Sequence, residues 1–496
     1  MKKTFILAFL SIASLWCAAV AGAQAVRVNP DGTGQALIYP YYTVRNGWVT
    51  LLSVVNQDTA AAKAVRVRVV EGRRGATVAS FNLFLRGADV WTGAIVPGTG
   101  ADDPPALISA DQSCTGGDAT LQRSPGFRLP FTAAAYQGDS DVAAFQTIDR
   151  TREGFVEIIE IGVVPRGTRL YGQLSPPALT PRSPPPCDAV HDGDVTAYAH
   201  DVLPPRGGLS GSGTLLNVGG GMSADYAATA IDHLWAGDSN DFGRLTRSDD
   251  TSPSLASGSN RVAEVFVEGQ LHLLPFAKSV DAVSATLMTT MVKGEFAYTF
   301  DRTIGTAWVF AAPTRRYYVS GTGTQPFSKG WDRQAATACE YGQFYDSFDR
   351  EAWGGTLSFD VYSGAPPSAQ EGVCFHATVF SFSPYGIDVT FSSKNNYSGY
   401  TRLAQDGGSI VASPGREGGF ASFFFANTAG LTSTGSYRTV VSATGEVNFE
   451  TSGPKRLAGL PVIGVGVSTA AYSTGNPQQN YASSIPLTVV RSLVTP

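Results

Sequence analysis

Alternating apolar and polar positions dominate the first hundred residues of the chain. Ala64–Val70 reads AVRVRVV and Val78–Leu85 reads VASFNLFL, each with a period of two residues. This period places alternate side chains on opposite faces of an extended strand. Turns that contain glycine, such as Glu71–Gly75, separate these runs. The pattern therefore predicts an antiparallel sandwich of the immunoglobulin-like type, with one face of each strand buried and the other exposed to solvent.

Further strand-like runs extend to the end of the chain. Beyond residue 206 the pattern predicts strands that include Gly213–Val218, Val262–Val267, Ser284–Lys293, Thr306–Ala311, Arg316–Ser320, Val373–Phe382, Phe420–Asn427, Tyr437–Ser442 and Leu460–Val467. The best helix candidate is Ala224–Trp235, with Ser223 as its N-cap. The sequence therefore predicts an all-β fold with two or more antiparallel β-sandwich domains, long Pro/Gly-rich loops and little helix.

Proline-rich breaks suggest how the chain is divided. Leu174–Pro186 contains six prolines, which prevent regular strand pairing, and Leu203–Gly208 forms a second break. We expect an N-terminal sandwich over residues 26–205, with an insertion tied down by a disulfide. Residues 206–496 form a C-terminal β-rich region, either as one unit or as two sandwiches that divide near residue 395.

Composition and charge narrow the class of protein. The chain has 496 residues, of which 43% are hydrophobic and 16% charged, and it contains 55 Gly and 29 Pro. This balance is typical of a folded, turn-rich chain and not of a disordered one. The formal net charge is −5, and the basic clusters are short, for example Arg66–Arg74 and Arg315–Arg316. We interpret these arginines as solvated strand faces and expect no nucleic-acid partner.

The N-terminus has the pattern of a secretory signal peptide. Lys2 and Lys3 precede an apolar stretch over Phe5–Ala21, and small residues follow as far as Ala25. Residues 1–25 are therefore predicted to be a leader, with cleavage after Ala23 or Ala25. No later segment has the ~18 consecutive apolar residues of a membrane helix. We expect an exported protein of the periplasm, the cell surface or the extracellular space.

Four cysteines remain after the leader, and an even number in an oxidising compartment predicts two disulfides. Three pairings are possible. We favour Cys114 with Cys187 and Cys339 with Cys374, because the members of each pair are neighbours in sequence and would lie within one domain. The absence of any C-x-x-C spacing argues against a zinc site.

The segment Cys339–Trp353 is the richest in candidate chemistry. It mixes acidic and aromatic side chains, a combination that glycosidases and glycan-binding proteins use. Its candidate ligand-binding residues are Glu340, Tyr345, Asp349, Glu351 and Trp353. The simpler interpretation is a loop anchored by a disulfide, whose aromatic rings pack on a sheet and whose acids pair with nearby arginines.

Other motifs are incomplete. Gly208–Ser212 approaches the G-x-S-x-G elbow of serine hydrolases, but it has Ser where the last Gly should stand. Asp238–Gly243 resembles the start of a calcium loop, except that Phe242 occupies a liganding position. We therefore predict no catalytic residue, no metal ligand and no required cofactor, and keep calcium in an acidic loop as the alternative.

Several phrases resemble an uncharacterised family of exported proteobacterial surface proteins that has no assigned activity. These phrases are Asn29–Gly32 leading into Ala36–Tyr42, Ala79–Gly93, Trp308 with Pro313–Tyr318, and Gly459–Gly464. They span most of the chain that follows the leader. The resemblance implies export and a β architecture, and it carries no functional residue with it.

Two functions follow as expectations. The leading one is a noncatalytic protein of the cell envelope or surface, such as an adhesion or matrix component, because no nucleophile, base and orienting group come together. The alternative is a secreted protein that binds or cleaves carbohydrate through the segment 339–353. The partner would then be a glycan or another envelope protein.

Overall fold

The structure, a computed structural model, consists mainly of antiparallel sheets. It describes residues 24–100, 102–117, 126–138, 146–174, 187–191, 195–236, 245–299, 303–319, 325–327, 340–352, 354–356, 372–373, 375–382, 410–412, 417–425, 430–441, 447–472 and 479–496. Of these residues, 52% are in strands and 11% in helices. The all-β prediction is confirmed, and the immunoglobulin-like assignment stays a prediction.

The N-terminal part of the chain forms two facing sheets, which we call the first sandwich. The seven-stranded sheet contains, in spatial order, β1 (Arg27–Val28), β13 (Thr229–Asp232), β2 (Ala36–Thr43), β10 (Glu153–Val164), β4 (Ala62–Glu71), β5 (Thr77–Leu85) and β8 (Cys114–Gly117). The six-stranded sheet contains β12 (Met222–Ala227), β11 (Leu209–Asn217), β3 (Val49–Asn56), β6 (Val90–Val96), β7 (Ala106–Ser109) and β9 (Phe127–Pro130).

The core of the first sandwich comes from inward positions of both sheets, as the two-residue period requires. The seven-stranded sheet contributes Val65 and Phe81, and the six-stranded sheet contributes Leu52 and Trp91. The rings of Phe81 and Trp91 lie 5.9 Å apart between centroids. Burial of this apolar surface is the main term that holds the two sheets together.

Strands from beyond residue 206 complete both sheets of the first sandwich. β11 pairs with β3 along eight residues, and β13 pairs with β2. The first sandwich therefore extends past the proline-rich break at residues 203–208, as far as Asp232. The predicted division near residue 395 lies outside the described residues.

The predicted helix over Ala224–Trp235 is wrong, because this stretch forms strands β12 and β13. Burial alternates along β12, with Ala224 and Tyr226 inward and Asp225 outward. The alanines favoured a helix on propensity alone, but pairing with β11 and β2 provides hydrogen bonds and a buried face, and tertiary contacts override propensity.

Two five-stranded sheets form a second sandwich. One contains β21 (Gly354–Thr356), β20 (Gln343–Asp349), β25 (Gly418–Phe424), β17 (Met291–Ala297) and β33 (Thr488–Val490). The other contains β24 (Ile410–Ala412), β23 (Ala377–Phe382), β18 (Ile304–Ala311), β31 (Ile463–Ala471) and β32 (Asn480–Ile485). Aromatic side chains such as Trp308, Phe380 and Phe423 fill the space between the two sheets.

A four-stranded sheet and short elements complete the fold. The sheet contains β14 (Val262–Val267), β15 (Gln270–Pro275), β27 (Ser436–Val441) and β28 (Val447–Ser452). The short strands are β16 (Met288–Thr289), β19 (Glu340–Tyr341), β22 (Gly372–Val373), β26 (Leu431–Thr432), β29 (Arg456–Leu457), β30 (Leu460–Pro461) and β34 (Leu493–Val494). The α-helices are α1 (Arg169–Leu174), α2 (Asp188–His191) and α3 (Ser279–Leu287). The 3-10 helices are Ala134–Tyr136, Ile148–Arg152, Val195–Asp201 and Arg315–Tyr317.

Two predicted strands differ from the structure in this part of the chain. Ser284–Lys293 begins inside α3 and becomes strand only from Met288, and Arg316 lies in a 3-10 turn. Helix α3 is buried almost throughout, and Ser284 and Thr286 are buried beside its Ala, Val and Leu residues, so the sequence lacks the exposed polar stripe that marks a surface helix. A short apolar run of this kind does not distinguish a buried helix from a strand.

The outward face of the seven-stranded sheet is covered by another layer. Phe155 and Ile159 of β10 share a core with Val265 of β14 and Val283 of α3. All positions of β4 and β10 are consequently buried. The interpretation of the basic clusters as solvated faces is therefore wrong for four arginines, which are 0 to 5% exposed: Arg66, Arg68, Arg74 and Arg315.

The buried arginines of β4 fasten a loop of the covering layer. Arg66 donates to Asn82 Oδ1 at 2.7 Å and to the Asp250 carbonyl at 2.9 Å. Arg68 donates to the same carbonyl at 2.9 Å and to that of Thr251 at 2.8 Å. Burial lowers the pKa of Arg66 to about 9, which leaves its guanidinium charged at neutral pH.

A disulfide joins Cys114 and Cys187, as predicted, with 5.3 Å between the Cα atoms. Cys114 begins the edge strand β8, and Cys187 immediately precedes α2. Cys339 and Cys374 lie outside the described residues. Their sequence neighbours Glu340 and Val373 are opposite each other in the pair β19–β22.

The first described residues form a seam with the four-stranded sheet. The Val26 amide donates to the Val262 carbonyl, and the Glu264 amide donates to the Val26 carbonyl, both at 2.8 Å. Ala25 is 3% exposed, and the Asn260 side chain donates to the Gln24 carbonyl. Residues 1–23 of the predicted leader lie outside the described residues.

In the part of the chain that the structure describes, no helix has the length and apolar character needed to cross a membrane.

Candidate functional site

The outward face of the six-stranded sheet carries small hydroxyl and aliphatic side chains. In β3, Leu52 and Val54 lie in the core, whereas Leu51 is 37% exposed and Ser53 is half-buried. The same alternation in β11 points Ser212 outward. A strand with one buried face and a two-residue period produces this arrangement directly.

One row of small side chains crosses the strands at the centre of this face. Ser53 lies opposite Ser212 of β11 on one side and opposite Thr92 of β6 on the other. The Ser53 and Ser212 hydroxyls hydrogen-bond at 3.0 Å, and Ala110 and Gly126 line the continuation of the row. Because these side chains are short, the row forms the floor of a depression.

Two rows of outward side chains flank the floor. One wall is a continuous row across six strands, which consists of Asp225, Thr214, Leu51, Ala94, Ile108 and Arg128. On the other side, Val55 lies opposite Val90, which is 47% exposed. We call the depression, of about 710 Å³, the sheet groove; its residues include Leu51, Ser53, Thr92, Ala94, Ile108, Arg128, Ser212 and Thr214.

Tyrosines beneath the floor hold it in place. The Tyr39 hydroxyl donates to the Ser53 carbonyl at 2.6 Å, and burial raises the pKa of Tyr39, so the hydroxyl stays protonated. A Cβ at Gly211 would lie 2.2 Å from this hydroxyl, and one at Gly213 would lie 2.3 Å from the Tyr226 ring. The glycines of β11 therefore allow the rings to reach the underside of the floor.

Charge is found at the two ends of one wall. Arg128 lies on the edge strand β9, and Asp225 lies on the opposite edge strand β12, where its carboxylate accepts from the Thr214 hydroxyl at 2.5 Å. The described lining residues include no histidine or carboxylate that could serve the Ser53 and Thr92 hydroxyls as a base, and Asp225, beyond the lining at the end of the wall row, is two strands away from Ser53. The groove offers hydroxyl groups and aliphatic surface, which suit binding.

The structure separates the predicted site residues of segment 339–353. Glu340 is fully buried, and its carboxylate is 3.9 Å from the Arg315 guanidinium. Burial lowers the pKa of Arg315 to about 10, while the charge of Glu340 opposes that shift. Glu340 is therefore engaged in an internal ion pair.

The other predicted site residues lie at the far end of β20 or outside the described part. Asp349 ends β20, and its carboxylate accepts from the Glu351 amide at 3.1 Å, with the Glu351 side chain exposed. Glu340 lies nine positions before Asp349, roughly 30 Å along an extended chain. The Tyr345 side chain and Trp353 lie outside the described residues. Asp349 and Glu351 thus share one turn, and Glu340 is not part of it.

Carboxylates of the seven-stranded sheet are paired with cations inside the protein. Lys63 Nζ is 2.8 Å from Glu160 Oε1, and both side chains are fully buried. Arg150 is 2.8 Å from Glu71 Oε1, and the amides of Arg74 and Ala76 donate to the same carboxylate. These groups satisfy one another and hold turns and strands together.

His376 is a further buried titratable group, between the two sandwiches. Its ring lies 2.5 Å from the position that a Cβ at Gly75 would take, so the two segments pack closely. Burial first, and then the charges of Arg315 and Arg316, lower the pKa of His376 well below its ordinary value. The imidazole is therefore neutral in the folded protein at neutral pH.

No described residues form a metal site. Among them, no group of three His, Cys, Asp or Glu side chains lies close enough together to hold an ion. The candidate calcium loop Asp238–Gly243 falls outside the described residues, so calcium stays an untested alternative.

Sequence reasoning missed the sheet groove. Gly208–Ser212 approaches a hydrolase elbow in sequence, but Leu209–Asn217 is the regular strand β11. The signal that could have found the groove is the alternation of Ser210, Ser212 and Thr214 with glycine, which places three hydroxyls on one strand face. The matching residues of β3 and β6 lie far away in sequence.

Neither a protein-family model, nor a curated protein, nor a solved structure matches this chain.

Proposed function

We propose that this chain is a noncatalytic, exported protein of the cell envelope or cell surface, which attaches to a partner through the sheet groove. The observation that carries the proposal is the open outward face of the six-stranded sheet, with its floor of short hydroxyl side chains. The equivalent face of the seven-stranded sheet is covered. A concave, preformed surface on a rigid sheet is a suitable place for recognition. An adhesion or matrix component would use such a surface.

Export is supported by two independent features. The apolar stretch after Lys2 and Lys3, with small residues at its end, is typical of a secretory leader. The disulfide between Cys114 and Cys187 suits an oxidising compartment. The resemblance to exported proteobacterial surface proteins agrees with this destination.

A noncatalytic role is supported by how the chain uses its ionisable groups. The carboxylates of Glu71, Glu160 and Glu340 are buried and paired with arginine or lysine. Such pairs hold strands and turns together and are poorly placed to exchange protons with a substrate.

Location is tested by cell fractionation and by protease treatment of intact cells. We expect the protein in the envelope or medium fraction, and loss of the full-length band when the protease is added outside. A protein found only in the cytoplasm would contradict the proposal.

Attachment is tested with purified protein and isolated cell envelopes in a sedimentation assay. Thr92→Trp fills the floor of the groove, and Ser223→Trp places the same ring on the same sheet outside the groove, at an exposed position of β12. We expect Thr92→Trp to lose envelope binding and Ser223→Trp to keep it. Equal binding by both variants would remove the groove from the proposal.

A further inference from the structure

We propose that the sheet groove binds an uncharged oligosaccharide or polysaccharide chain, lying across the strands. This inference rests on the proposed attachment function and names its ligand class. It assigns glycan recognition to the outward face of the six-stranded sheet and not to the segment 339–353.

The dimensions of the groove suit an extended chain. Neighbouring strands lie about 4.8 Å apart, so the floor row from β11 to β9 runs for roughly 19 Å. In β3 and β6 the flanking side chains stand two positions away from the floor. Leu51 and Ala94 lie on one side and Val55 and Val90 on the other, roughly 14 Å apart. A single polymer chain fits along this floor, whereas a folded domain would meet it only at the rims.

The lining matches the two kinds of surface that a sugar presents. Each Ser or Thr hydroxyl has one donor and two acceptor positions, so the Ser53–Ser212 pair keeps acceptor capacity after its mutual bond. The Thr92 hydroxyl is on an exposed side chain between Ser53 and Ala110. Leu51, and Ile108 beyond it, offer aliphatic surface for the C–H faces of a sugar ring.

Charge argues for a neutral ligand. An anionic polymer would require cations along its length, and Arg128 is the one charged side chain among the described lining residues. Asp225, at the opposite end of the wall, adds a negative charge that would repel such a polymer.

An extended peptide is a poorer match. Peptides that bind to sheets usually add a strand at an edge, where backbone groups are unpaired. The groove instead crosses β11, β3 and β6, whose backbone groups pair with neighbouring strands on both sides. Recognition there has to come from side chains, which suits the hydroxyl groups of a glycan.

The test uses the full mature chain and three probes: a neutral glucan hexasaccharide, a neutral N-acetylglucosamine hexasaccharide, and an acidic uronate oligosaccharide of similar length. Binding is followed by titration calorimetry, with the wild type, Thr92→Trp and Ser223→Trp. We expect at least one neutral probe to bind, and Thr92→Trp to weaken it by about tenfold or more, while Ser223→Trp stays within about twofold.

Thr92→Val serves as a second variant in case the Trp side chain disturbs the strand. It keeps the shape of Thr92 and removes only the hydroxyl, so a loss of affinity would report a hydrogen bond to the ligand. Preferential binding of the uronate, or equal binding of neutral probes by all variants, would overturn the glycan assignment.

The two proposals fail separately. If no neutral probe binds but Thr92→Trp still abolishes envelope attachment, the ligand class is wrong and the groove is right. If Thr92→Trp leaves envelope attachment unchanged, the proposed function loses its site, whatever the oligosaccharides do.

Discussion

The two sheets of the first sandwich are built from similarly alternating sequences, but their outward faces meet different surroundings. In β4 of the seven-stranded sheet, all ten positions are buried, and the polar ones are occupied by long charged side chains such as Arg66 and Arg68. In β3 and β6 of the six-stranded sheet, burial alternates, and the outward positions are occupied by Ser53, Thr92 and short aliphatic residues.

The difference shows that the type of residue on the outward face of a sheet depends on whether another layer covers that face. Long charged side chains can reach across an interface to carbonyls or opposite charges, as Arg66 reaches the Asp250 carbonyl. Short hydroxyl side chains leave a smooth floor that a ligand can approach, as at Ser53 and Ser212. In this protein, alternating Arg therefore marks an interface between layers, and alternating Ser and Thr marks an open face.

The largest effect is expected at the buried pair of the covered sheet. Lys63→Met leaves the Glu160 carboxylate without its cation in a fully buried site, which usually costs about 3 to 5 kcal/mol. The double variant Lys63→Met/Glu160→Gln should recover much of that loss, because no unpaired charge remains. Urea unfolding measures the free energy for both. A single variant as stable as the wild type would contradict the pairing of these two buried side chains, which the strand register places on the inward face of the sheet beside Val65.

The disulfide at the edge of the covered sheet should have the next largest effect. Its two cysteines are 73 positions apart, and replacing both Cys114 and Cys187 by Ala should lower the free energy of unfolding by about 2 to 5 kcal/mol. Thermal melting of the oxidised wild type and of the variant measures this loss of stability.

The second predicted disulfide is tested by nonreducing peptide mapping of the wild type, which should recover Cys339 linked to Cys374. A Cys114–Cys339 peptide would contradict both pairings.

His376 should make the stability of the covered region depend on pH. Its pKa in the folded protein is well below the value near 6.5 of an unfolded histidine, because burial and the charges of Arg315 and Arg316 oppose protonation. Below about pH 6.5 the unfolded chain takes up a proton that the folded chain does not. The free energy of unfolding should therefore fall with falling pH, by up to about 1.4 kcal/mol per pH unit from this residue.

The measurement compares wild type and His376→Gln by urea unfolding between pH 7.5 and pH 5. The difference between the two slopes of unfolding free energy against pH gives the contribution of His376 alone, because the other titrating groups are the same in both proteins. Identical slopes would mean that His376 accepts a proton in the folded protein as readily as in the unfolded chain.

The smallest effect is expected on the open face. Thr92→Ala removes an outward hydroxyl from the sheet groove and should change the free energy of unfolding by no more than about 0.5 kcal/mol. The same variant should still weaken ligand binding. A large loss of stability would show that the floor of the groove stabilises the sandwich. The outward faces of the two sheets would then both contribute to stability, contrary to the comparison.

The strands of the first sandwich were predictable because their hydrophobic period is local. The alternation over Ala64–Val70 and Val78–Leu85 predicts strands, and the two runs lie within β4 and β5. The period does not show whether a second layer covers the polar face of a strand. In the seven-stranded sheet that layer comes from β14, α3 and the loop near Asp250, which lie more than a hundred residues after β4 in the chain. Arg66 and Arg68 were misinterpreted for this reason.

The sheet groove could not be predicted from the sequence for a related reason. Its floor joins Ser53, Thr92 and Ser212, which only the strand register brings together. The acidic aromatic segment attracted attention because its residues are adjacent in sequence, but adjacency along a strand separates Glu340 from Asp349. A site on a sheet is built across strands, and one strand shows only part of it.

The seam at Val26 has a consequence for how the chain matures. The residues at the end of the predicted leader and just after it are already structural, since Ala25 is buried and Val26 forms two backbone hydrogen bonds with β14. Removal of the leader after Ala23 preserves the bond from Asn260 to the Gln24 carbonyl, and removal after Ala25 destroys it. If the predicted leader is removed, amino-terminal sequencing of the mature protein should therefore begin at Gln24. A chain that starts at Gln24 would have its amino terminus inside the contact between the first sandwich and the four-stranded sheet.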